Sequence, residues 1–263
     1  MFHGSIPALA TPFKDGAVDE SALEALIERQ IESGSTALTP CGTTGEVSTL
    51  KDPEYERVID LTIEIAAGRV PVIAGTGTND TARSIERQAR AKSVGADAGL
   101  VIAPYYNRPD QAGIAAHVEA IADAVELPIV VYNVPSRTGT DVRPETMARL
   151  ARHPNVIAIK DATGEMSRIT RHRLEIGADF IQLSGDDPTM LGHYAHGGVG
   201  AISVTANVAP KQCADFHAAC REGRYEEARR LNDQLQPLHA ALFSAPSPAP
   251  TKYALSLLGL CAA

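Results

Sequence analysis

Eight short, almost wholly apolar runs alternate with longer amphipathic stretches along this chain, and that alternation constrains the fold more than any other feature. The runs are Ile6–Ala10, Ala37–Thr39, Val70–Ala74, Ala98–Ile102, Ile129–Tyr132, Val156–Lys160, Phe180–Leu183 and Val199–Val204. Rich in Val, Ile and Ala, they suit parallel strands buried on both faces. Between them the apolar residues repeat at helical spacing. Asp19–Ser33 places Leu23, Leu26, Ile27 and Ile31 on one face and stops at Gly34. Asp52-Pro53-Glu54 reads as a helix start with Asp52 as cap, opening a helix over Glu54–Ala67. Further helices are predicted at Asn79–Val94, Asp110–Val125, Pro144–Arg152, Glu165–Glu175, Thr189–His196 and Ala209–Arg221. Strict βα alternation predicts a parallel α/β sheet, and eight parallel strands close most simply into a (β/α)8 TIM barrel. An open doubly wound sheet is the alternative. The barrel is expected over residues 1–222. After Gly223 the alternation ends, and 223–263 reads as a C-terminal helical region: a helix over Tyr225–Leu242, a Pro-rich linker Ala245–Pro250, and a helix over Lys252–Leu258.

Composition removes several function classes. Lys and Arg number 24 against 32 Asp and Glu, a net charge of −8, which argues against a nucleic-acid partner. No apolar run approaches the roughly 20 residues that span a bilayer. Met1–Ala10 lacks the cationic start and long apolar core of a secretion signal. Cys41, Cys213, Cys220 and Cys261 show no Cys-x-x-Cys spacing, so they read as buried or free thiols of a cytoplasmic protein.

Active sites of βα barrels lie at the C-terminal ends of the strands. Lys160 ends the sixth run. It is either a lysine that reaches solvent or pairs with Asp161, or a desolvated amine suited to Schiff-base chemistry. Tyr132 ends the fifth run and Arg137 lies just beyond. They read as a core aromatic and a solvated charge, or as a phenol for proton transfer and a guanidinium for a substrate carboxylate. Cys41-Gly-Thr-Thr-Gly-Glu46 follows the second run, as a tight glycine turn or as a cradle of N–H groups and hydroxyls for a small anion. Gly75-Thr-Gly-Thr-Asn79 fails the dinucleotide spacing, because Asp80 stands where the third glycine belongs. Tyr105 and Tyr106 suggest a lid, an interface or packing. His193 and His196 lack a carboxylate to complete a zinc pattern, and Ser184 lacks a nucleophile elbow.

Together these motifs resemble the dihydrodipicolinate synthase family of pyruvate-dependent Schiff-base aldolases, related to N-acetylneuraminate lyase. The likeness runs from Gly4-Ser-Ile-Pro-Ala-Leu-Ala-Thr-Pro-Phe to at least Leu260. Gly42-Thr-Thr-Gly-Glu46, Tyr132-Asn-Val-Pro-Ser-Arg-Thr-Gly139 and Ile159-Lys-Asp161 carry it, in order and at strand ends. The resemblance implies an enzyme that condenses pyruvate with L-aspartate 4-semialdehyde to 4-hydroxy-tetrahydrodipicolinate, in the diaminopimelate route to lysine. It implies that Lys160 forms the imine, and that Tyr132 donates and accepts protons. Thr43 would act as relay, with Tyr106 reaching across a dimer interface. Thr44, Arg137, Gly185 and Ile202 would bind substrate. No metal or organic cofactor is implied, and the assembly would be a homotetramer built as a dimer of dimers. Arg137 favours this over the alternative, a lyase for a sugar acid or hydroxy-keto acid. A catalytically silent pyruvate-binding barrel would not need the four groups of Lys160, Tyr132, Thr43 and Tyr106. Positions that bind inhibitory lysine in feedback-sensitive members read Ser48, Asp52, Tyr55, Asn79, Arg83 and Tyr105 here. The cation of Arg83 replaces a Glu, so weak or absent feedback is expected. Members usually continue past Tyr253–Leu260 with another helix, so the resemblance also implies a C-terminal shortening.

Overall fold

Seven of the eight apolar runs become strands, and the eighth does not. The computed structural model describes residues 2–262. Its elements begin with β1 (Gly4–Pro7), the hairpin strands β2 (Phe13–Lys14) and β3 (Ala17–Val18), α1 (Glu20–Glu32) and α2 (Asp52–Ala66). There follow β4 (Ile73–Gly75), α3 (Thr81–Val94), β5 (Ala98–Ile102), α4 (Gln111–Ala124) and β6 (Ile129–Asn133). Next come α5 (Pro135–Thr138), α6 (Pro144–Leu150), β7 (Val156–Asp161), α7 (Met166–Glu175) and β8 (Ile181–Ser184). The chain closes with α8 (Met190–Ala195), β9 (Gly200–Ser203), α9 (Pro210–Arg221), α10 (Tyr225–Leu242) and α11 (Ala249–Leu257).

Two compact units are distinguished, Met1–Val72 with Gly200–Ala263, and Ile73–Val199. In the first, β1 pairs in parallel with β9, Ile6 opposite Ile202. In the second, β4 to β8 pair in succession, every pair parallel. Tyr132 lies opposite Lys160, and Lys160 opposite Leu183. The run Ala37–Thr39, expected as a strand, makes only isolated parallel bridges, Thr39 to Ala8 and Leu38 to Val72. Proline is the reason. The Leu38 N–H donates to the Pro71 carbonyl at 2.9 Å and the Thr39 N–H to the Pro7 carbonyl at 3.0 Å. Prolines at 7, 40 and 71 have no N–H with which to lengthen either ladder.

Local signals fix the helices. Asp19, Asp80 and Asp110 cap α1, α3 and α4, accepting from Ala22, Arg83 and Gly113 N–H groups at 3.0, 3.1 and 2.8 Å. Asp52 is the first residue of α2, not its cap. Glu54 reaches back to accept from the Lys51 N–H at 2.9 Å, which moves the start one residue earlier. The linker expected over Ala245–Pro250 is shorter than that, because Pro250 fits the first turn of α11. In the second unit Ile114, Val118 and Ile121 of α4 and Met147 and Leu150 of α6 bury themselves against Val131 and Ile159. Each such side chain stabilises the fold by about 1.5–3 kcal/mol, and together they hold β6 and β7 in register.

Candidate active site

Lys160 is the last but one residue of β7 and is only 5% exposed. Its ammonium lies 4.1 Å from the ring centroid of Tyr132, its neighbour across the ladder. Among the described residues no carboxylate reaches it. Asp161, the obvious partner, is occupied elsewhere. Its Oδ1 accepts from the Thr163 N–H at 2.8 Å and the Thr163 hydroxyl at 2.5 Å. Its Oδ2 accepts from Arg168 Nε at 3.0 Å. Gly185 makes room for the lysine. A Cβ at that position would stand 3.0 Å from Lys160 Cε and 2.8 Å from Ala162 Cβ. The solvent-reaching and ion-paired alternatives for Lys160 therefore both fail, and a desolvated amine over a phenol ring remains.

Arg137 is exposed, one residue before the end of α5, a single turn closed by Gly139 at φ +71°. The loop beyond it is anchored through Asn133. That side chain donates to Asp141 Oδ1 at 2.8 Å and accepts from the Val142 N–H at 3.0 Å. Tyr106 is 90% exposed at φ +69°, a conformation costly for an aromatic residue. Its loop is tied down on both sides. Asn79 and Asn107 exchange hydrogen bonds at 2.8 and 2.9 Å, and Arg108 Nε donates to the Gly139 carbonyl at 2.9 Å.

The first unit carries Thr43, Thr44 and Ile202. Cys41 at φ +54° and Glu46 at φ +58° bound two successive turns, closed by Gly45 N–H to Gly42 and Glu46 N–H to Thr43, both at 3.1 Å. Gly45 fits closely against backbone, since a Cβ would sit 3.0 Å from the Leu9 carbonyl and 3.1 Å from Cys41 N. The Thr11 hydroxyl donates to the Gly45 carbonyl at 2.8 Å. Among the described residues neither the Thr43 nor the Thr44 hydroxyl has a partner, so both are available to an anion. Lys252 of α11 donates to Glu46 at 2.7 Å and lies 4.4 Å from the Phe13 ring centroid. Ile202 ends its side chain in the core, 1% exposed.

Other motifs resolve into structure. His193 is buried with Nε2 3.0 Å from the Gln182 carbonyl, whereas His196 faces the Thr170 hydroxyl at 3.1 Å. Among the described residues no cluster suits a metal ion. The Ser184 hydroxyl donates to the Asp186 carbonyl at 3.1 Å. Thr76 binds Gln88 at 2.6 Å. Two contributors escape sequence reasoning. Lys252 meets a residue 206 positions away, and no spacing signals that. Arg168 of α7 reads as a surface charge in sequence, yet its side chain is only 7% exposed and donates to Asp161 of β7.

Over residues 1–263 the chain matches the Dihydrodipicolinate synthetase family. The 4-hydroxy-tetrahydrodipicolinate synthase of Hyphomonas neptunium is 60% identical, the match covering 99% of this chain and 90% of that protein. The enzyme of the same name from Erythrobacter litoralis is 59% identical, covering 97% and 88%. Dihydrodipicolinate synthase from Aquifex aeolicus is similar in structure at TM-score 0.97 and 44% identity, covering 99% of this chain and 89% of its own. The chloride-inhibited dihydrodipicolinate synthase from Acinetobacter baumannii, solved with pyruvate, is similar at TM-score 0.97 and 44% identity, covering 100% and 90%. With its signature lysine buried on β7 and a match along its full length, the chain belongs to the dihydrodipicolinate synthetase family.

Proposed function

We propose that this chain condenses pyruvate with L-aspartate 4-semialdehyde to 4-hydroxy-tetrahydrodipicolinate, through an imine on Lys160. The observation that carries the reading is the buried Lys160 amine with the Tyr132 ring beside it and no carboxylate on it. The Lys160 amine attacks the pyruvate ketone and water leaves, giving the imine. The imine accepts the electron pair released when a methyl proton departs, and an enamine results. The enamine carbon attacks the aldehyde of the second substrate. That substrate's amine then attacks the imine carbon, closes the ring and returns Lys160. Tyr132 moves protons at the imine and the new alcohol, relayed by Thr43 and a partner's copy of Tyr106. Thr44 and Thr43 hold the pyruvate carboxylate, Gly185 and Ile202 line its site, and Arg137 pairs with the carboxylate of the semialdehyde. The lysine supplies the electron sink, so the reading needs no metal or organic cofactor.

The same reading closes the fold into a (β/α)8 barrel over 1–222, with Ala37–Thr39 as its second stave and 223–263 as appended helices. The bridges on both sides of Leu38 and Thr39 support it, as does the likeness to solved synthases. A tetramer made as a dimer of dimers is supported by the exposed ring of Tyr106. Among the described residues no cysteine forms a disulfide, which supports the cytoplasm as location. Arg83 supports weak or absent inhibition by lysine. Half-inhibition of the purified enzyme by sub-millimolar lysine would end that part of the reading.

Borohydride reduction in the presence of pyruvate, followed by peptide mass mapping, tests the centre of the proposal. A reduced adduct on Lys160 is expected; no adduct, or one on Lys92 or Lys211, overturns it. Turnover with aspartate semialdehyde rather than with N-acetylneuraminate or 2-keto-3-deoxy acids separates it from the lyase alternative.

A further inference from the structure

One guanidinium joins the strand that carries Lys160 to the loop that follows Arg137. Arg168 of α7 is buried, with its side chain only 7% exposed. Its Nε donates to Asp161 Oδ2 at 3.0 Å, Nη1 to Asp141 Oδ2 at 3.1 Å, and Nη2 to the Val142 carbonyl at 2.5 Å. Asp161 is the residue next to Lys160. Asp141 and Val142 lie just past Gly139, the residue that closes the turn bearing Arg137. Asn133, the neighbour of Tyr132, bonds to both carboxylates, at 2.8 Å to Asp141 and 3.4 Å to Asp161. Burial works against the Arg168 charge, but Asp161 and Asp141 outweigh it and hold its pKa above the ordinary arginine value.

We infer that Arg168 is a positioning residue that fixes the span between the imine lysine and the anchor for the second substrate. The inference rests on the proposed function. A planar fork suits the task, because it grips two carboxylates and a carbonyl at once at fixed angles. An ammonium at the same place grips one carboxylate at a time. Asp161 already points to the face of β7 opposite Lys160, as alternate strand residues do, and Arg168 fixes it there, so the amine has no counter-charge from it. The two grips serve different steps. The Asp161 side supports imine formation with pyruvate. The Asp141 and Val142 side supports capture of the aldehyde.

That division is testable, because the Asp141 side chain is 36% exposed and can be removed without emptying the core. The enzyme, Asp141→Ala and Arg168→Lys are each assayed for borohydride-trapped imine with pyruvate, for steady-state condensation and for thermal unfolding. In Asp141→Ala, imine formation should stay within about 2-fold, while KM for the aldehyde rises about 10-fold or more. Arg168→Lys should show the same aldehyde defect, since its single grip cannot span both sides. A purely structural role would lower the unfolding temperature and depress both readouts together, and that result overturns the inference. So does unchanged aldehyde use in Asp141→Ala. An adduct on a lysine other than Lys160 in the unsubstituted enzyme overturns the proposed function itself, and this inference with it.

Discussion

Two lysines in this molecule lie over aromatic rings at nearly the same distance and do opposite things. Lys160 sits 4.1 Å from the Tyr132 ring centroid, and Lys252 sits 4.4 Å from that of Phe13. Lys252 also holds the Glu46 carboxylate at 2.7 Å, and both side chains are partly exposed. Lys160 is buried, and its adjacent carboxylate belongs to Arg168. A ring alone does not decide what an ammonium is for. The carboxylate does. Paired, the lysine is a clamp between α11 and the Gly42–Glu46 loop; buried and without a carboxylate, it has the amine that the proposed imine requires.

The contrast breaks most sharply at Lys160 itself. Lys160→Ala should abolish the pyruvate adduct and lower turnover by roughly 10^4-fold or more, with the fold retained by circular dichroism. Residual turnover within tenfold of the unsubstituted enzyme would place the nucleophile elsewhere. Gly185→Ala comes next. Its added methyl would press on Lys160 Cε, so the amine must move. Imine formation should slow by about 10- to 100-fold, measured by single-turnover trapping, and the clash with Ala162 should lower the melting temperature as well. Lys252→Met should act more gently and on one substrate. Leaving Glu46 uncompensated in the loop that carries Thr43 and Thr44 should raise KM for pyruvate by about 3- to 10-fold with kcat within about 2-fold. A kcat effect instead would make Lys252 part of the chemistry. High salt should narrow the difference between Lys252→Met and the unsubstituted enzyme, because a partly exposed pair is screened.

The smallest effect concerns acid. Three buried histidines of the second unit, His117, His172 and His193, have their pKa values lowered, each chiefly because burial disfavours the charged ring. The folded protein therefore binds fewer protons than the unfolded chain just below the ordinary value of 6.5. Their contribution to stability is present above that value and is lost as pH falls toward the lowered folded values. Melting temperature should decline steadily from about pH 6.5 downward, and a flat profile there would refute the buried neutral state.

Much of this was legible in the residues. Tyr225–Leu242 reads as a helix and is one, and Ala98–Ile102 reads as a strand and is one, because strong periodic patterns survive tertiary packing. The residues singled out at strand ends, Lys160 and Tyr132, do lie side by side. What stayed hidden depends on distant partners. Alternation along β7 sends Asp161 to the face opposite Lys160, but nothing in Ile159-Lys-Asp161 reveals that Arg168 is the cation that takes the carboxylate. The Pro135–Thr138 turn that presents Arg137 is too short to announce itself by period. Ala37–Thr39 misleads because apolar character says nothing about available N–H groups, and the prolines that curtail it belong partly to other runs.

Those prolines have a dynamic consequence. Leu38 and Thr39 hang from single bridges, and the next residues, Pro40 and Cys41, lead straight into Thr43 and Thr44. The Gly42–Glu46 loop thus follows a stretch held only by isolated bridges, while Lys160 stands on a strand paired along both edges. Amide protons of Leu38 and Thr39 should exchange with deuterium well ahead of those of Val131 and Ile159.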